Sequence, residues 1–325
     1  VGVVWAGCPG GLQHSSSGKP LGTLLQHRHR PHLESPPVRP QSVVFSVALV
    51  TLGMVFTQTG ASFAKGLFPA VGAAGATTLR LTLAAIVLLA IFQPWRQKLD
   101  RRQWRAVFAY GAVMGAMNLF FYAALQTIPL GVAVALEFTG PLAVALAGSR
   151  KPLDFAWILL AVVGLALLLP LGQSSGQIGI TGVLLALAAG ACWAGYIIFG
   201  QRAGTGGGPH ITALGVTIAA VIALPFGIAT AGTALLNPAI LPIALGVALL
   251  SSAIPYALDM VALPHIPARL FGILMSGQPA LGALSGFLIL HESLTPWQLG
   301  GIIAIILASL GATVTIARNM PPPVA

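Results

Sequence analysis

From Val43 onward the chain alternates long apolar runs with short breaks. A helix that spans a bilayer needs about 20 mostly apolar residues, and ten runs approach that length: 43–64, 73–93, 104–124, 130–148, 155–171, 179–200, 210–229, 239–260, 267–290 and 296–316. Weak period-two alternation and abundant Gly and Ala predict a helical bundle, not a barrel, because small residues let helix backbones approach closely. The pattern therefore predicts an all-α integral membrane protein with ten transmembrane helices.

Composition sharpens this picture. Only 7% of the 325 residues are charged and 56% are hydrophobic, against about 25% charged in soluble domains. So few charges cannot cover a water-facing surface, which makes lipid the main solvent. The formal net charge of +10 would suggest nucleic acid in a soluble protein. Here the bases cluster in the first residues and the short breaks, which excludes a nucleic-acid face and reads as topology signals. Arg96, Lys98, Arg101, Arg102 and Arg105 lie between spans two and three, and Arg150 and Lys151 between four and five. Arg202, Arg269 and Arg318 follow spans six, eight and ten, while Lys19, Arg28, Arg30 and Arg39 precede span one. All fall on one side of a ten-span chain, and only Lys65 marks the other. The positive-inside rule then predicts both termini in the cytoplasm.

Residues 1–40 differ from everything after them. HRHRPHLESPPVRP is rich in Pro, His and Arg without an apolar period, and is expected to be a disordered tail or spurious upstream sequence. WAGC at Trp5 to Cys8 faintly resembles a lipoprotein cleavage site, but the preceding apolar stretch is far too short for a signal peptide. His27, His29 and His32 could hold a metal; a solvated tail that binds nothing is the simpler expectation. Cys8 and Cys192 lie in segments of opposite character, so neither a disulfide nor a thiolate metal site is expected, and Cys192 should pack as a small apolar residue.

Shifting the chain by 138 residues lays ALQTIPLGVAVALEFTGPLAVAL (124–146) on ALPHIPARLFGILMSGQPALGAL (262–284). Pro129 meets Pro267, Pro141 meets Pro279, and Asp154 meets Glu292. Span four then corresponds to span nine, an odd number of crossings away, so the two copies run oppositely through the membrane. Inverted repeats mark secondary transporters with a binding site near the midplane. The expected organisation is a first five-helix repeat over 43–171, a second over 179–316, and a short tail from 317 to 325.

An ionisable group at membrane depth costs about 2.5–3.5 kcal/mol on insertion scales and points to function. The candidates are Glu137 in span four, Arg80 in span two, Lys65 at the outer end of span one and Asp259 in span eight. Gln58, Asn118, Tyr122, Tyr256 and Gln278 are their uncharged companions. Asn118 and Tyr122 share one face of span three, and Tyr256 and Asp259 one face of span eight. Pro141 has no N–H, so the Glu137 carbonyl loses its helical donor, and a bound ammonium could serve both carbonyl and carboxylate. Pro279 is expected to free the Met275 carbonyl in the same way, without the acid. The competing reading of Glu137 is a structural ion pair with Arg80 or Lys65. Arg80 and Lys65 could also snorkel to the interface, and Asp259 could simply be wet.

Other chemistry is missing. There is no GxxxxGK[ST] loop, no HExxH and no Cys/His metal spacing, which predicts no ATP-driven step, no cofactor, no metal and no enzymatic activity. GTGGGP (204–209) reads as a flexible connection. His265 and His291 lie at span ends, so no Ser/His pair sits inside the spans.

QTGASFAKGLFPAVGAAGATTLRL (58–81), IPLGVAVALEFTGPLAVAL (128–146) and AGACWAGYIIFGQRAG (189–204) together resemble the drug/metabolite transporter superfamily. Within it the chain is similar to the EamA-type inner-membrane threonine and homoserine exporters, from about Val43 to Arg318. The resemblance implies ten helices, cytoplasmic termini in a bacterial inner membrane, and amino-acid efflux driven by protons. Partners are then a small amino acid, protons and the bilayer, with no nucleic acid. In this reading Arg80 or Lys65 attracts the carboxylate of a zwitterion, and Glu137 accepts its ammonium or a proton. An exporter of another metabolite or a cationic drug is the alternative, and a membrane scaffold a third reading that leaves the repeat unexplained.

Overall fold

In hydrocarbon every backbone N–H and C=O must be satisfied within the segment, and helices do this locally. The computed structural model describes residues 40–147, 152–168, 179–203, 208–255, 258, 262 and 274–318. Residues 1–39, and with them the tail and its histidines, lie outside the described residues, as do Tyr256, Asp259 and Pro267. Among the described residues there are ten α-helices and no strand: α1 (Pro40–Gly66), α2 (Phe68–Phe92), α3 (Arg101–Ala124), α4 (Leu130–Ala147), α5 (Pro152–Leu168), α6 (Ile180–Ala203), α7 (Gly208–Ala231), α8 (Leu241–Ala248), α9 (Gln278–Leu290) and α10 (Pro296–Arg318). Among the described residues five stretches, all of more than 20 residues, are long and apolar enough to cross a membrane: Val44–Gly66, Phe68–Phe92, Arg101–Ala124, Ile180–Gly200 and Gly208–Leu236. Shorter apolar helical stretches run over Leu130–Val144, Phe155–Leu168, Leu241–Ala253, Gln278–Leu290 and Pro296–Ala312. Large apolar side chains such as Phe45, Ile86, Phe108, Phe155, Val221 and Phe287 stand exposed on the outside of the bundle, as lipid-facing residues must.

Local chemistry sets several ends. Asp100 caps α3: its carboxylate accepts from the Gln103 N–H at 2.6 Å, and the Gln103 side chain accepts from the Asp100 N–H at 2.9 Å, the reciprocal arrangement of a capping box. Gly72 (φ +69°, ψ 172°) breaks α2 after its first turn, a conformation that only glycine adopts without strain. The body of the helix therefore starts at Ala73, where the apolar run begins.

The two aligned prolines are expected to break spans four and nine at the same depth, and span four needs correction. In span nine a turn at Ser276–Gly277, with the Gly277 N–H donating to Leu274 O at 2.9 Å, does interrupt the run just before a helix that begins at Gln278. Pro279 stands in the first turn of α9, where a missing N–H has no consequence. Pro141 stands inside a helix that continues to Ala147. The aligned prolines thus do different things.

Helices α2 and α7 pack along each other, as do α3 and α6, α4 and α6, and α5 and α10. Small residues set the closest approaches. A Cβ on Gly164 would lie 3.0 Å from Gly301 O, and one on Gly301 would lie 2.8 Å from Gly164 O, so α5 and α10 cross backbone to backbone. Cys192 is half-buried and packs against the main core.

Parallel to this packing, a polar seam joins α1 to α9. Gln58 Nε2 donates to Gln278 Oε1 at 2.5 Å, the Ser62 and Ser285 hydroxyls lie 2.8 Å apart, and Lys65 Nζ pairs with Glu292 Oε1 at 2.6 Å. Lys65 Nζ also donates to Ile128 O at 3.3 Å, and Glu292 Oε2 accepts from the Leu130 N–H at 2.7 Å. One ion pair therefore ties the end of α1 to the α3–α4 and α9–α10 connections. Glu292→Gln strands the Lys65 charge on this partly buried seam and is expected to destabilise the protein by about 1–3 kcal/mol. A lower melting temperature in detergent, partly recovered when Lys65→Met removes the stranded charge from the Glu292→Gln variant, checks it.

Candidate functional site

Six of the nine polar candidates converge on one cavity among the helices: Gln58 of α1, Arg80 of α2, Asn118 and Tyr122 of α3, Glu137 of α4 and Gln278 of α9. Asn118 and Tyr122 reach it together because residues four apart share a helix face. Ser251, Ser252, Trp193, Met114 and Met117 complete much of the wall.

Arg80 does not snorkel. It is 8% exposed and turned inward. Its Nη1 donates to Ser251 Oγ at 3.3 Å and Ser252 Oγ at 3.5 Å, its Nη2 donates to Asn118 Oδ1, and its Cζ lies 5.0 Å from the centre of the Tyr122 ring. Asn118 is held in turn by donating to Met114 O at 2.8 Å. These contacts are neutral, and among the described residues the buried Nε of Arg80 has no hydrogen-bond partner. Among the described residues no carboxylate comes within ion-pair distance of Arg80.

Glu137 is 7% exposed, and among the described residues no hydrogen bond or ion pair reaches its carboxylate. A structural pair with Arg80 or Lys65 is therefore not formed. Lys65 also lies outside the cavity wall, because its ammonium is held by Glu292 and the Ile128 carbonyl at the end of α1. The backbone expectation at Glu137 changes too. Its carbonyl, which Pro141 leaves without a helical donor, is turned to α6: a Cβ on Gly190 would lie 2.8 Å from it. A Cβ on Gly140 would overlap the Gly190 carbonyl. Glycines at both positions let α4 and α6 touch and leave the carboxylate, not the carbonyl, as the group facing the cavity. Gly190→Ala should cost about 1–3 kcal/mol of stability by overpacking this crossing, seen as a lower melting temperature of the purified protein.

Ser251 and Ser252 were not among the sequence candidates. Adjacent residues on an α-helix do not share a face. The backbone after α8 widens into a π-turn at Leu249–Ala253, a feature frequent at functional sites, and both hydroxyls reach the same guanidinium nitrogen. The doublet in ALLSSAIP (248–255) was the available signal. Among the described residues no cluster of His, Cys, Asp and Glu could hold a metal ion.

A guanidinium and a carboxylate, each buried and each without an ionic partner among the described residues, are costly alone. Sharing one cavity, they suit a guest that carries both an anionic and a cationic group. Apolar helices packed around such a cavity define a membrane transport protein. The chain belongs to the EamA-like transporter family, whose pattern it matches over residues 180–314. It is 51% identical over 282 residues to the threonine/homoserine exporter RhtA of Escherichia coli (strain K12), covering 87% of this chain and 96% of the relative. To the threonine/homoserine exporter RhtA of Salmonella typhimurium (strain SL1344) it is 53% identical over 273 residues, covering 84% and 92%. A protein of known crystal structure, 20% identical, superposes with a TM-score of 0.55 over 85% of this chain and 98% of the other, a likeness of fold alone.

Proposed function

We propose that the chain is a secondary-active exporter of small neutral amino acids, homoserine and threonine first, coupled to proton entry across a bacterial inner membrane. The observation that carries this reading is the pair of opposite charges on one cavity wall, Arg80 and Glu137, neither neutralised by another ion among the described residues. A zwitterion satisfies both at once, whereas a cationic drug would leave Arg80 facing like charge. The names of the close relatives point to the same substrates. Arg80, held by Asn118, Ser251 and Ser252, receives the carboxylate. Glu137 accepts the ammonium, and in its absence a proton, so that the two ligands compete for one acid. Tyr122 shapes the Arg80 side. Tyr256 and Asp259 lie outside the described residues and are candidates from the sequence alone.

The architecture we infer is ten spans in two inverted repeats, 43–171 and 179–316, with both termini cytoplasmic. Packing partners that recur under a shift of five helices support it: α4 with α6 as α9 with α1, α3 with α6 as α8 with α1, and α3 with α7 as α8 with α2. The test is transport by the purified chain in proteoliposomes loaded with labelled homoserine, threonine or a cationic dye, with a pH gradient imposed. Gradient-stimulated movement of the amino acids is expected. Movement of the dye and of neither amino acid would overturn the reading.

A further inference from the structure

The charged poles of the cavity recognise what all amino acids share, so something else must tell one from another. We propose that the Gln58–Gln278 amide pair reads the side-chain hydroxyl of the transported amino acid. This rests on the reading of the cavity as an amino-acid site.

Most polar groups on the wall already have work. Asn118 accepts from Arg80 and donates to Met114 O; Ser251 accepts from Arg80 and donates to Val247 O at 2.7 Å. The two glutamines differ. They are 5% and 2% exposed and face the cavity from α1 and α9. Their mutual bond uses one N–H of Gln58 and one lone-pair direction of Gln278. A carboxamide has two donors and an acceptor oxygen with two lone pairs. Gln58 Oε1 accepts no hydrogen bond among the described residues, and Gln278 Nε2 makes only a 3.9 Å contact with Met275 Sδ. The pair thus offers an acceptor and a donor side by side. A hydroxyl is the small group that is both, and an alkyl side chain is neither.

The pair is also held in place. Gln278 is the first residue of α9, between the Ser276–Gly277 turn and Pro279, whose ring fixes the backbone. On the other side, a Cβ on Gly282 would lie 3.4 Å from Gln58 Oε1 and 3.0 Å from Val134 Cγ2, so glycine there keeps the Gln58 carbonyl approachable. The Ser62–Ser285 contact locks the same two helices further along, and the Lys65–Glu292 pair ties the end of α1 to the connection that follows α9. A rigid donor–acceptor pair discriminates strongly, because a ligand without the matching group leaves both buried atoms unpaired.

2-Aminobutyrate tests this, since it is both homoserine and threonine without the hydroxyl. In proteoliposomes the wild-type chain should move homoserine and threonine at least about tenfold more efficiently than 2-aminobutyrate. Gln58→Met and Gln278→Met, each conserving length, should bring that ratio to within about threefold of unity, because the hydroxy amino acids lose more than 2-aminobutyrate does. The double variant, which leaves neither amide facing a lost partner, should behave the same way. Wild-type protein that moves 2-aminobutyrate as well as homoserine overturns the proposal and leaves amino-acid export standing. So does an unchanged ratio in all three variants, or loss of every amino acid together in all three, which would assign the pair to folding. Wild-type protein that moves no amino acid fails the underlying reading instead.

Discussion

Arg80→Gln is expected to lower the efficiency of homoserine export by about a hundredfold or more. Removing one partner of a buried charge-assisted contact costs about 2–5 kcal/mol, and each 1.4 kcal/mol is about a factor of ten in an equilibrium. The guanidinium is placed by three neutral acceptors, Asn118, Ser251 and Ser252, and by the Tyr122 ring. None of them cancels its charge, so the charge is available to a carboxylate. Arg80→Lys keeps the charge but not the planar fork, and a single ammonium cannot hold those acceptors and a carboxylate together. An intermediate loss of about tenfold is expected for it. Homoserinol, the same skeleton with an alcohol where the carboxylate was, separates binding from folding. Wild-type protein should prefer homoserine, and Arg80→Gln should erase the preference rather than abolish movement of both. Equal losses for the two compounds would assign Arg80 to the fold.

The helices were legible in the sequence because lipid allows so few alternatives. Once the apolar runs at 130–148 and 296–316 are found, a helix is the backbone's way of satisfying itself, and the observed ends at Leu130–Ala147 and Pro296–Arg318 differ by at most two residues. Span four misled for a physical reason. A proline reads as a break in the middle of a run, yet α4 continues through Pro141 to Ala147, while Pro279 stands in the first turn of a new helix, and the alignment of the two hid the difference. Polar residues at membrane depth are rare enough that listing them brings Gln58, Arg80, Asn118, Tyr122, Glu137 and Gln278 to attention, and these six share a cavity. What the list could not contain was pairing. Lys65 looked like a partner for a substrate because Glu292, 227 positions away, lies in a connection rather than a span. Ser251 and Ser252 escaped because hydroxyls are ordinary in membrane helices, and only the π-turn makes them neighbours of one guanidinium. The Glu137 carbonyl escaped as well, since Gly190 closes on it from another helix.

Glu137→Gln should separate transport from its driving force. If substrate ammonium and proton compete for this one carboxylate, a side chain that never titrates still accepts a hydrogen bond from the ammonium but no longer exchanges it for a proton. Gradient-driven export of homoserine is then expected to fall about a hundredfold, the lower part of the range for loss of a positioned proton-transfer group. Counterflow at equal pH, which needs binding and conformational exchange but no net proton movement, should persist with a weaker apparent affinity. Stability should move the other way. The wild-type carboxylate is buried without a hydrogen bond or ion pair among the described residues, and neutralising an uncompensated buried group is favourable, so the variant should melt no lower than the wild type. The combination is diagnostic: a structural acid would give a lower melting temperature with coupling intact, and a pH gradient that stimulates Glu137→Gln as strongly as wild type would remove Glu137 from the coupling step.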